Sequence, residues 1–209
     1  MASLSIIGTG NMGSAIAQVA GRGGTPVQLI GRDAQKAAAA AEQAGDSATH
    51  ATLGDELTGD IVVLALPYAA VAEVLEAYRG RLGGKVIVDL TNPVDFSTFD
   101  SLVVPADSSA AAGIAEQVPE ASVVKAFNIN FAATLASGSV GEQQTTVVIA
   151  GDDADAKSAL ATVVEAGGLR AVDAGSLKRA RELEALGFLQ ISLAAGEKTS
   201  WTTGFALLS

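Results

Sequence analysis

The feature that most constrains this fold is a glycine-rich loop near the start of the chain. A short apolar run at residues 3–7 leads into Gly8-Thr-Gly-Asn-Met-Gly13, where three glycines stand at G-x-G-x-x-G spacing. Small and apolar residues follow at positions 15, 16, 19 and 20, as on one face of a helix. This order predicts a strand, a tight turn and a helix, which together are typical of dinucleotide-binding domains.

Each glycine of this loop has a separate expected role. Gly8 permits the turn, Gly10 lets a pyrophosphate approach the backbone, and Gly13 lets the helix pack closely on the strand. The first amides of the helix then point at the phosphates, with the positive end of the helix dipole behind them. The alternative interpretation is an ordinary strand-to-helix turn without a ligand.

The end of the second predicted strand indicates which dinucleotide binds. Residues 26–30 are apolar and lead into Gly31-Arg32-Asp33, whereas an NAD site usually has Asp or Glu at this tip to hold the ribose 2′-hydroxyl. The Arg32 guanidinium suits a 2′-phosphate, and Lys36 adds a second positive charge one turn later. Alternatively, Arg32 is a solvated loop residue and Asp33 caps the next helix. Both interpretations are compatible, and the sequence favours NADP.

Composition and charge narrow the class of protein. A length of 209 residues suggests one domain, or one large and one small, and the net charge of −10 argues against nucleic acid or an anionic membrane as partner. Without cysteine there is no disulfide framework, thiolate nucleophile or Cys-ligated metal, and His50, the single histidine, is expected in a loop. Met1 leads directly into a strand and no apolar run is long enough to span a bilayer, which predicts a cytoplasmic protein.

Strand and helix patterns alternate along the rest of the chain, which predicts an α/β fold with a doubly wound, mostly parallel sheet of the Rossmann type and a small C-terminal helical region. We expect a dinucleotide-binding domain at residues 1–135 and a small C-terminal α/β region at 136–209 that completes the acceptor cleft. Further strands are predicted at 60–66, 85–89, 123–127, 145–149 and 169–172, and helices at 33–44, 69–78, 108–117, 153–166 and 177–195.

Ligands of open parallel sheets bind beyond the carboxyl ends of the strands, so the site is expected there. We expect Ala65, Leu66 and Pro67 to line the nicotinamide ribose and Tyr68 to cover the cofactor. Tyr68 and Phe131 are equally plausible as packing aromatics. The remaining candidates at strand ends are Asn92, Pro93, Asn128 and Phe131.

These strand ends carry no Ser-His-Asp set, no metal cluster and no Lys-His pair. Reduction of a carbonyl usually needs an acid to protonate the oxygen, whereas hydride transfer between two flat redox rings needs chiefly orientation and closeness. The sequence therefore favours transfer between cofactors, with Tyr68 or Lys125 left open as an acid. The alternatives are an NADPH-dependent reductase of a small imine or carbonyl compound, and a non-catalytic NADP-binding redox sensor.

Five segments resemble the NADP oxidoreductases that depend on the deazaflavin coenzyme F420. They are Gly8-Thr-Gly-Asn-Met-Gly13, Gly31-Arg32, Leu64-Ala-Leu-Pro67, Val124-Lys-Ala-Phe-Asn128 and Asp173-Ala-Gly-Ser-Leu177. The glycine loop alone is shared with pyrroline-5-carboxylate reductases and hydroxyacid dehydrogenases. The resemblance implies hydride transfer between NADP(H) and F420 or a related flavin, with both rings in one cleft. It also implies that Thr9, Asn11, Met12 and Arg32 belong to the NADP site.

The chain departs from that family pattern beside the second ring. Family members that use the deazaflavin tend to carry His-Thr-Ile-Pro where this chain has Asn128-Ile-Asn-Phe131. A bulky Phe131 in place of proline predicts a narrower acceptor pocket.

The C-terminal helix offers two further signals. Ser176 is a candidate N-cap, and Lys178, Arg179 and Arg181 form a basic cluster that either meets an anionic cofactor tail or pairs with Glu182 and Glu184. Apolar residues at two helical faces predict burial against a second copy, and hence a homodimer. They are Leu183, Leu186, Leu189 and Leu193 on one face, and Phe188 and Ile191 on the other.

Overall fold

Strands and helices alternate along the chain, as the sequence predicts. The computed structural model describes residues 2–45 and 47–207. Their strands are β1 (Leu4–Ile7), β2 (Val27–Gly31), β3 (Ala48–Thr52), β4 (Ile61–Leu64), β5 (Val86–Asp89), β6 (Ser122–Lys125), β7 (Ser139–Val140), β8 (Gln143–Gln144), β9 (Thr146–Gly151) and β10 (Arg170–Gly175).

The helices connect these strands and cover both faces of the sheet. They are α1 (Asn11–Arg22), α2 (Ala34–Ala44), α3 (Val71–Ala77), α4 (Ala110–Gln117), α5 (Ala132–Ser137), α6 (Ala154–Ala166) and α7 (Ala180–Ala195). Short 3₁₀ turns at Tyr68–Ala70 and Leu177–Arg179 lead into α3 and α7.

One sheet joins eight of the strands in the order β10-β9-β6-β5-β4-β1-β2-β3. Neighbouring strands are parallel except β6 and β9, which are antiparallel. The strand order reverses at β1, which lies between β2 and β4, and such a reversal opens a crevice at the carboxyl ends of the strands. The predicted doubly wound, mostly parallel sheet is therefore confirmed.

The core lies on both faces of this sheet because successive strand side chains point to opposite sides. In β1, Leu4 and Ile6 pack towards α1 and α6, whereas Ile7 packs towards α3 and α4. All four residues of β4 are buried, as expected of a central parallel strand. The strands after residue 135, β9 and β10, continue the same sheet, and the division into two regions at that residue stays a prediction.

Of the two predicted helix caps, one is observed and one is not. The Asp33 carboxylate accepts hydrogen bonds from the amides of Gln35 and Lys36 at 2.9 and 3.1 Å, and Asp153 caps α6 in the same way. Ser176 stands at the N-cap position of the 3₁₀ turn before α7, but its side chain makes no capping hydrogen bond. The interpretation of Ser176 as a side-chain cap is wrong.

The sequence patterns did not predict several of the observed strands and helices. His50, expected in a loop, lies in β3, an edge strand whose side chains are mostly exposed or half-buried. Its polar composition gives no apolar alternation by which a strand is recognised. Helix α5 and the short β7–β8 hairpin were not predicted either. Both are short, and a six-residue helix or a two-residue strand leaves no clear periodicity.

The buried face of α7 also differs from expectation. Of the predicted stripe, Leu183 is buried but Leu189 is 50% exposed, and the face that packs inward carries Glu184, Gly187 and Gln190. This orientation follows from polar contacts to Glu184, which helical periodicity of apolar residues does not reveal. In the described part of the chain, no helix has the length and apolar character needed to cross a membrane.

Candidate active site

The glycine loop joins β1 to α1 at the crevice where the strand order reverses. Gly8 adopts φ +120°, and a Cβ there would collide with the Ala65 carbonyl, so only glycine suits the position. A Cβ at Gly13 would collide with the Gly8 carbonyl. At Gly10, by contrast, a Cβ would meet no atom within 4 Å, which leaves the backbone open to a ligand. Each glycine therefore has the geometry that its predicted role requires.

The loop leaves the start of α1 ready for an anion. Gly10 is the N-cap residue, and the first turn of α1 contains no acidic side chain. The amides of the first turn therefore have no capping side chain, and the partial positive charge of the helix end is uncompensated. This arrangement suits a pyrophosphate group.

A pocket of about 350 Å³, which we call the nucleotide pocket, lies on one side of the loop. It combines the glycine turn, the tip of β2 and the end of β4, as the sequence predicts. Its lining includes Gly8, Thr9, Gly10, Gly31, Arg32, Asp33, Lys36, Ala65, Leu66, Pro67 and Glu73.

Two cations line this pocket and one of them has an anionic neighbour. The Arg32 guanidinium lies 3.8 Å from the Glu73 carboxylate, and both side chains are more than half exposed. An exposed ion pair of this kind contributes at most about 1 kcal/mol. Charge-assisted hydrogen bonds to a phosphate are worth roughly 1.5–3 kcal/mol, so a phosphate competes successfully with Glu73 for Arg32.

A larger space of about 770 Å³, the acceptor cleft, lies on the other side of the loop. It is bounded by the start of α1, the loop after β6, α5, α7 and the chain after α7. Among the described residues, its lining has no Asp, Glu, His, Lys, Arg or Tyr. The main lining residues are Asn11, Met12, Leu90, Asn92, Phe96, Phe127, Asn128, Asn130, Phe131, Gly187, Gln190, Ile191 and Trp201.

Carboxamides connect the walls of the acceptor cleft. Asn92 donates to the Asn128 carbonyl at 2.7 Å, and the Asn128 amide group donates to Asn92 Oδ1 at 2.9 Å and to the Leu183 carbonyl at 2.8 Å. A Cβ at Gly187 would collide with the Asn92 side chain. Gly187 therefore lets α7 approach the end of β5 closely, and the hydrogen bonds hold the three segments together.

The segment after β6 carries a strained residue and an aromatic pair. Phe127 is buried and has φ +64°, a conformation that costs a non-glycine residue about 1–3 kcal/mol and persists where the surroundings enforce it. Four residues later, the Phe131 ring packs against Trp201 with 5.1 Å between centroids and 54° between planes. The pair forms one wall of the acceptor cleft, with Trp201 contributed by the chain beyond α7.

A buried charge cluster anchors α7 to the sheet behind the cleft. Lys125 Nζ donates to Asp89 at 2.7 Å, to Glu184 at 2.8 Å and to the Thr91 carbonyl at 2.6 Å, and all three charged side chains are buried. The backbone amide of Ala110 also donates a hydrogen bond to the Glu184 carboxylate, at 2.9 Å. Such buried charges are tolerated because they are hydrogen-bonded on every side.

This cluster corrects one expectation about acid catalysis. All three N–H groups of Lys125 are engaged, and the residue lines neither pocket. Lys125 is therefore not a proton donor to a substrate. Its role is structural.

The predicted site residues fall into three groups. Of the predicted residues, those that line the nucleotide pocket are Gly8, Thr9, Gly10, Arg32, Lys36, Ala65, Leu66 and Pro67. Those that line the acceptor cleft are Asn11, Met12, Asn92, Asn128 and Phe131. Neither lining includes Gly13, Tyr68 or Pro93. Gly13 supports the loop, Tyr68 packs against the core, and Pro93 is buried with its carbonyl accepting from the Val103 amide at 2.7 Å. Contact of these three with a cofactor stays a prediction.

The C-terminal motif and basic cluster lie away from both linings. Lys157 donates to both oxygens of Asp173 at 2.9 and 2.8 Å and holds the pKa of that carboxyl below its ordinary value. Arg179 and Arg181 pair with Glu182 at 3.4 and 3.2 Å, as the alternative of a solvated, paired face predicts. Glu184, predicted as another surface partner, is instead buried on Lys125.

Sequence reasoning missed much of the acceptor-cleft lining, including Gln190 in α7 and Trp201 beyond it. Two signals were available. Trp201 is the single tryptophan of a chain with 4% aromatic residues, and Gln190 falls three residues after Gly187 on the same helix face. No local pattern places either beside the glycine loop.

Comparison with known proteins relates this geometry to a family. The model of the family described as coenzyme F420-dependent NADP oxidoreductase matches residues 3–93. An F420-dependent NADP reductase of Methanothermobacter marburgensis is 30% identical over 202 residues, which cover 89% of this chain and 89% of that protein. A second one, from Methanocaldococcus jannaschii, is 28% identical over 148 residues, which cover 69% of this chain and 66% of that protein.

Solved structures agree with these relatives. A protein of Arthrobacter sp. FB24, described provisionally as an F420-dependent NADP reductase, superposes with a TM-score of 0.86 at 26% identity, and all of both chains is covered. An imine reductase from Pseudomonas sp. has a TM-score of 0.64 at 20% identity, covering 94% of this chain and 62% of that one. At that identity the likeness shows the fold alone.

Proposed function

The chain belongs to the family of F420-dependent NADP reductases, and from this premise we propose that it transfers hydride between NADP(H) and a deazaflavin or flavin ring. The oxidoreductase class follows from the family. NADP as the cofactor also follows from the family, and the ring-shaped acceptor is the proposal. One observation carries it: an uncharged acceptor cleft adjoins a nucleotide pocket that carries two cations.

The residues of the nucleotide pocket fit an NADP molecule. The open backbone at Gly10 and the free first amides of α1 suit the pyrophosphate, and Arg32 with Lys36 suits the 2′-phosphate. Leu66 and Pro67 line the same pocket just after the end of β4. When bound, the nicotinamide supplies or receives the hydride.

The acceptor cleft favours a redox ring over a carbonyl or imine. Reduction of a carbonyl or imine leaves a basic atom that needs a proton from a positioned acid. The lining provides no ionisable side chain within the described chain. A flavin-type ring spreads the incoming charge and exchanges its proton with water. The cleft therefore needs only to orient this ring and to keep it close, and Asn92 and Asn128 in its lining are candidates for this role.

A panel of acceptors tests the proposal. The protein is mixed with NADPH and, in turn, coenzyme F420, 5-deazariboflavin, riboflavin, a quinone, a ferric chelate, a cyclic imine and a small ketone. We expect NADPH oxidation with the deazaflavins or flavins and none with the imine or ketone. Turnover of the imine or ketone alone favours the small-substrate reductase, and tight NADPH binding without any turnover favours the redox sensor.

The pH dependence of the same reaction provides a second test. Because the described lining contains no ionisable side chain, kcat with 5-deazariboflavin is expected to be nearly flat between about pH 6 and 9. A bell-shaped profile in that range contradicts the proposed mechanism, since it reports an acid and a base of the enzyme complex.

We also propose that the protein is a homodimer through α7 and the loop that packs on it. Leu189, Phe96 and Phe99 are exposed by 50%, 58% and 38%, and Ser192 contacts the Phe99 carbonyl at 3.4 Å, so the three apolar side chains share one region. Light scattering after size exclusion is expected to give a dimer for the unmodified protein and a monomer for Leu189→Lys. A monomeric unmodified protein contradicts this assembly.

A further inference from the structure

The chain beyond α7 forms a strap, residues 197–207, that reaches the acceptor cleft through Trp201. This residue is the single tryptophan of the protein, and it lines the cleft and packs its indole on the Phe131 ring. Trp201 is nevertheless 55% exposed. A large aromatic residue that lies partly in a cleft and partly in water has apolar surface left for a further contact.

The strap is fixed at its two ends. At its start, the Lys198 amide donates to the Leu193 carbonyl at 2.8 Å and ties the strap to the last turn of α7. Near its far end, the Arg170 guanidinium at the start of β10 donates to the Leu207 carbonyl at 3.0 Å. Both ends are therefore joined to elements of the main fold by hydrogen bonds of ordinary length.

The middle of the strap, which carries Trp201, is held more weakly. In the part of the chain that the structure describes, residues 200–206 make one hydrogen bond to the rest of the molecule, from the Gln190 amide group to the Thr203 carbonyl at 3.5 Å. This distance is near the limit for a hydrogen bond. The Thr203 amide also donates to the Ser200 carbonyl at 3.2 Å, so Trp201 stands in a local turn whose own contacts move with it. The middle can shift while both ends stay in place.

The other ring of the aromatic pair is fixed in the fold. Phe131 directly precedes α5, and its carbonyl accepts hydrogen bonds from the amides of Thr134 and Leu135 at 3.0 and 3.2 Å. The Thr134 hydroxyl donates to the same carbonyl at 2.9 Å, and Leu135 is buried in the core. Of the two rings, Trp201 is the one that can give way to a ligand with few lost contacts.

From these contacts we infer that Trp201 is a binding residue for the acceptor. When the acceptor ring enters the cleft, the indole leaves Phe131 and packs on that ring, and the strap closes over it. The inference rests on the proposed function and adds a residue to it. Exchange of one aromatic partner for another preserves the contact between rings, and burial of the exposed part of Trp201 favours the closed arrangement.

Hydroxyl-radical footprinting with peptide mass spectrometry tests this role on the unmodified protein and without turnover. The NADP⁺-loaded protein is labelled with and without a saturating ring, 5-deazariboflavin or riboflavin, whichever binds more tightly. We expect labelling of Trp201 to fall at least about threefold relative to Phe205, because packing on a ring covers most of an aromatic face. Phe205 is the internal control, since it lies on the same strap, is 41% exposed and does not line the cleft. Radical scavenging by the ligand lowers the labelling of both residues equally.

Variants measure what the indole contributes to binding. Trp201→Leu keeps an apolar side chain but loses the aromatic face, so affinity of the NADP⁺-loaded protein for the same ring should fall at least about fivefold in calorimetric titration. Trp201→Phe should recover most of the affinity. Phe205→Leu is the matched control and should bind the ring as the unmodified protein does. NADP⁺ affinity should be the same in all of these proteins, and thermal melting checks that each is folded.

Two results overturn the role of Trp201 and leave the proposed function intact. They are unchanged labelling of Trp201 relative to Phe205, and equal affinity of Trp201→Leu and the unmodified protein, in each case with hydride transfer from NADPH retained. Equal protection of both residues is a form of the first result, because the strap would then be covered as a whole. If the unmodified protein neither binds nor reduces either ring, the proposed function fails and the role of Trp201 fails with it.

Discussion

The nucleotide pocket and the acceptor cleft flank the same glycine loop but are built in opposite ways. The nucleotide pocket relies on backbone shape and charge: a glycine at φ +120°, open amides at the start of α1, and the cations Arg32 and Lys36. The acceptor cleft relies on neutral side chains from distant segments, such as Asn128 and Trp201. A pocket of the first kind suits the phosphate groups of a dinucleotide, whereas a cleft of the second kind suits an uncharged ring.

This contrast predicts where each region tolerates change. Substitutions in the loop should act on cofactor binding with little effect on the acceptor, and substitutions in the cleft should do the reverse. The buried cluster at Lys125 is expected to be the exception, because it supports the cleft by holding α7 in place.

The largest effect is therefore expected for Lys125→Met. The variant leaves the Asp89 and Glu184 carboxylates buried without their cation, which typically costs about 3–5 kcal/mol of stability. Chemical denaturation measures this loss. A loss of stability below about 1 kcal/mol would show that water or structural rearrangement replaces the interactions of the two carboxylates with Lys125. The cluster would then not be what holds α7 in place. Asp173→Asn serves as control, because its ion pair with Lys157 is largely exposed on the Asp173 side and its loss should matter little.

The next largest effect is expected for Gly10→Val. A side chain here would fill the space for the pyrophosphate but meets no protein atom, so NADPH affinity should fall by at least about a hundredfold, or about 2.7 kcal/mol. Calorimetric titration measures the affinity and thermal melting the stability. Retained NADPH binding would place the pyrophosphate elsewhere. An unfolded variant would mean that the loop does not have the open geometry described.

Arg32→Ala sharpens the assignment of the nucleotide pocket. Loss of a bidentate contact to the 2′-phosphate should weaken NADPH binding by about tenfold to a hundredfold and leave NADH nearly unchanged. Glu73→Gln is the matched comparison, since it removes the competing carboxylate and should leave NADPH binding equal or slightly tighter. The assignment fails if the unmodified protein binds NADH as tightly as NADPH.

The smallest effect is expected at the aromatic wall of the acceptor cleft. Removing the Phe131 ring should widen the cleft beside Trp201. We expect kcat/KM for 5-deazariboflavin to rise about fivefold in Phe131→Ala, which corresponds to about 1 kcal/mol of added transition-state stabilisation. NADPH affinity should not change. A fall in kcat/KM would instead show that the wall holds the ring by packing against it.

The nucleotide pocket and the acceptor cleft also differ in how much of each could be predicted from the sequence. The glycine loop, the tip of β2 and the Asp33 cap were predicted because each depends on residues within a few positions of one another. Backbone conformation and helix capping depend on residues close together in the chain, so a short stretch of sequence is enough to predict them.

The acceptor cleft was predicted only in part, because its residues come from segments that are distant in the sequence. Asn92 and Asn128 were predicted from their places after strands, but their mutual hydrogen bonds depend on neighbouring strands 36 residues apart. Tyr68 was predicted for the same reason, since it follows β4, but it lies outside the linings of both pockets. A position after a strand brings a residue to the right edge of the sheet, but it does not determine where the side chain points.

By itself, the sequence determined the parallel sheet, the glycine loop and the charge at the tip of β2, because local periodicity and turn chemistry encode them. Only the tertiary structure decided which face of α7 is buried, through Glu184 meeting Lys125 across 59 residues, and brought Trp201 against Phe131. The edge strand that holds His50 was likewise decided by pairing with β2, since its own side chains carry no apolar pattern. Contacts between distant segments depend on how helices dock on the completed sheet, and no single stretch of sequence contains that information.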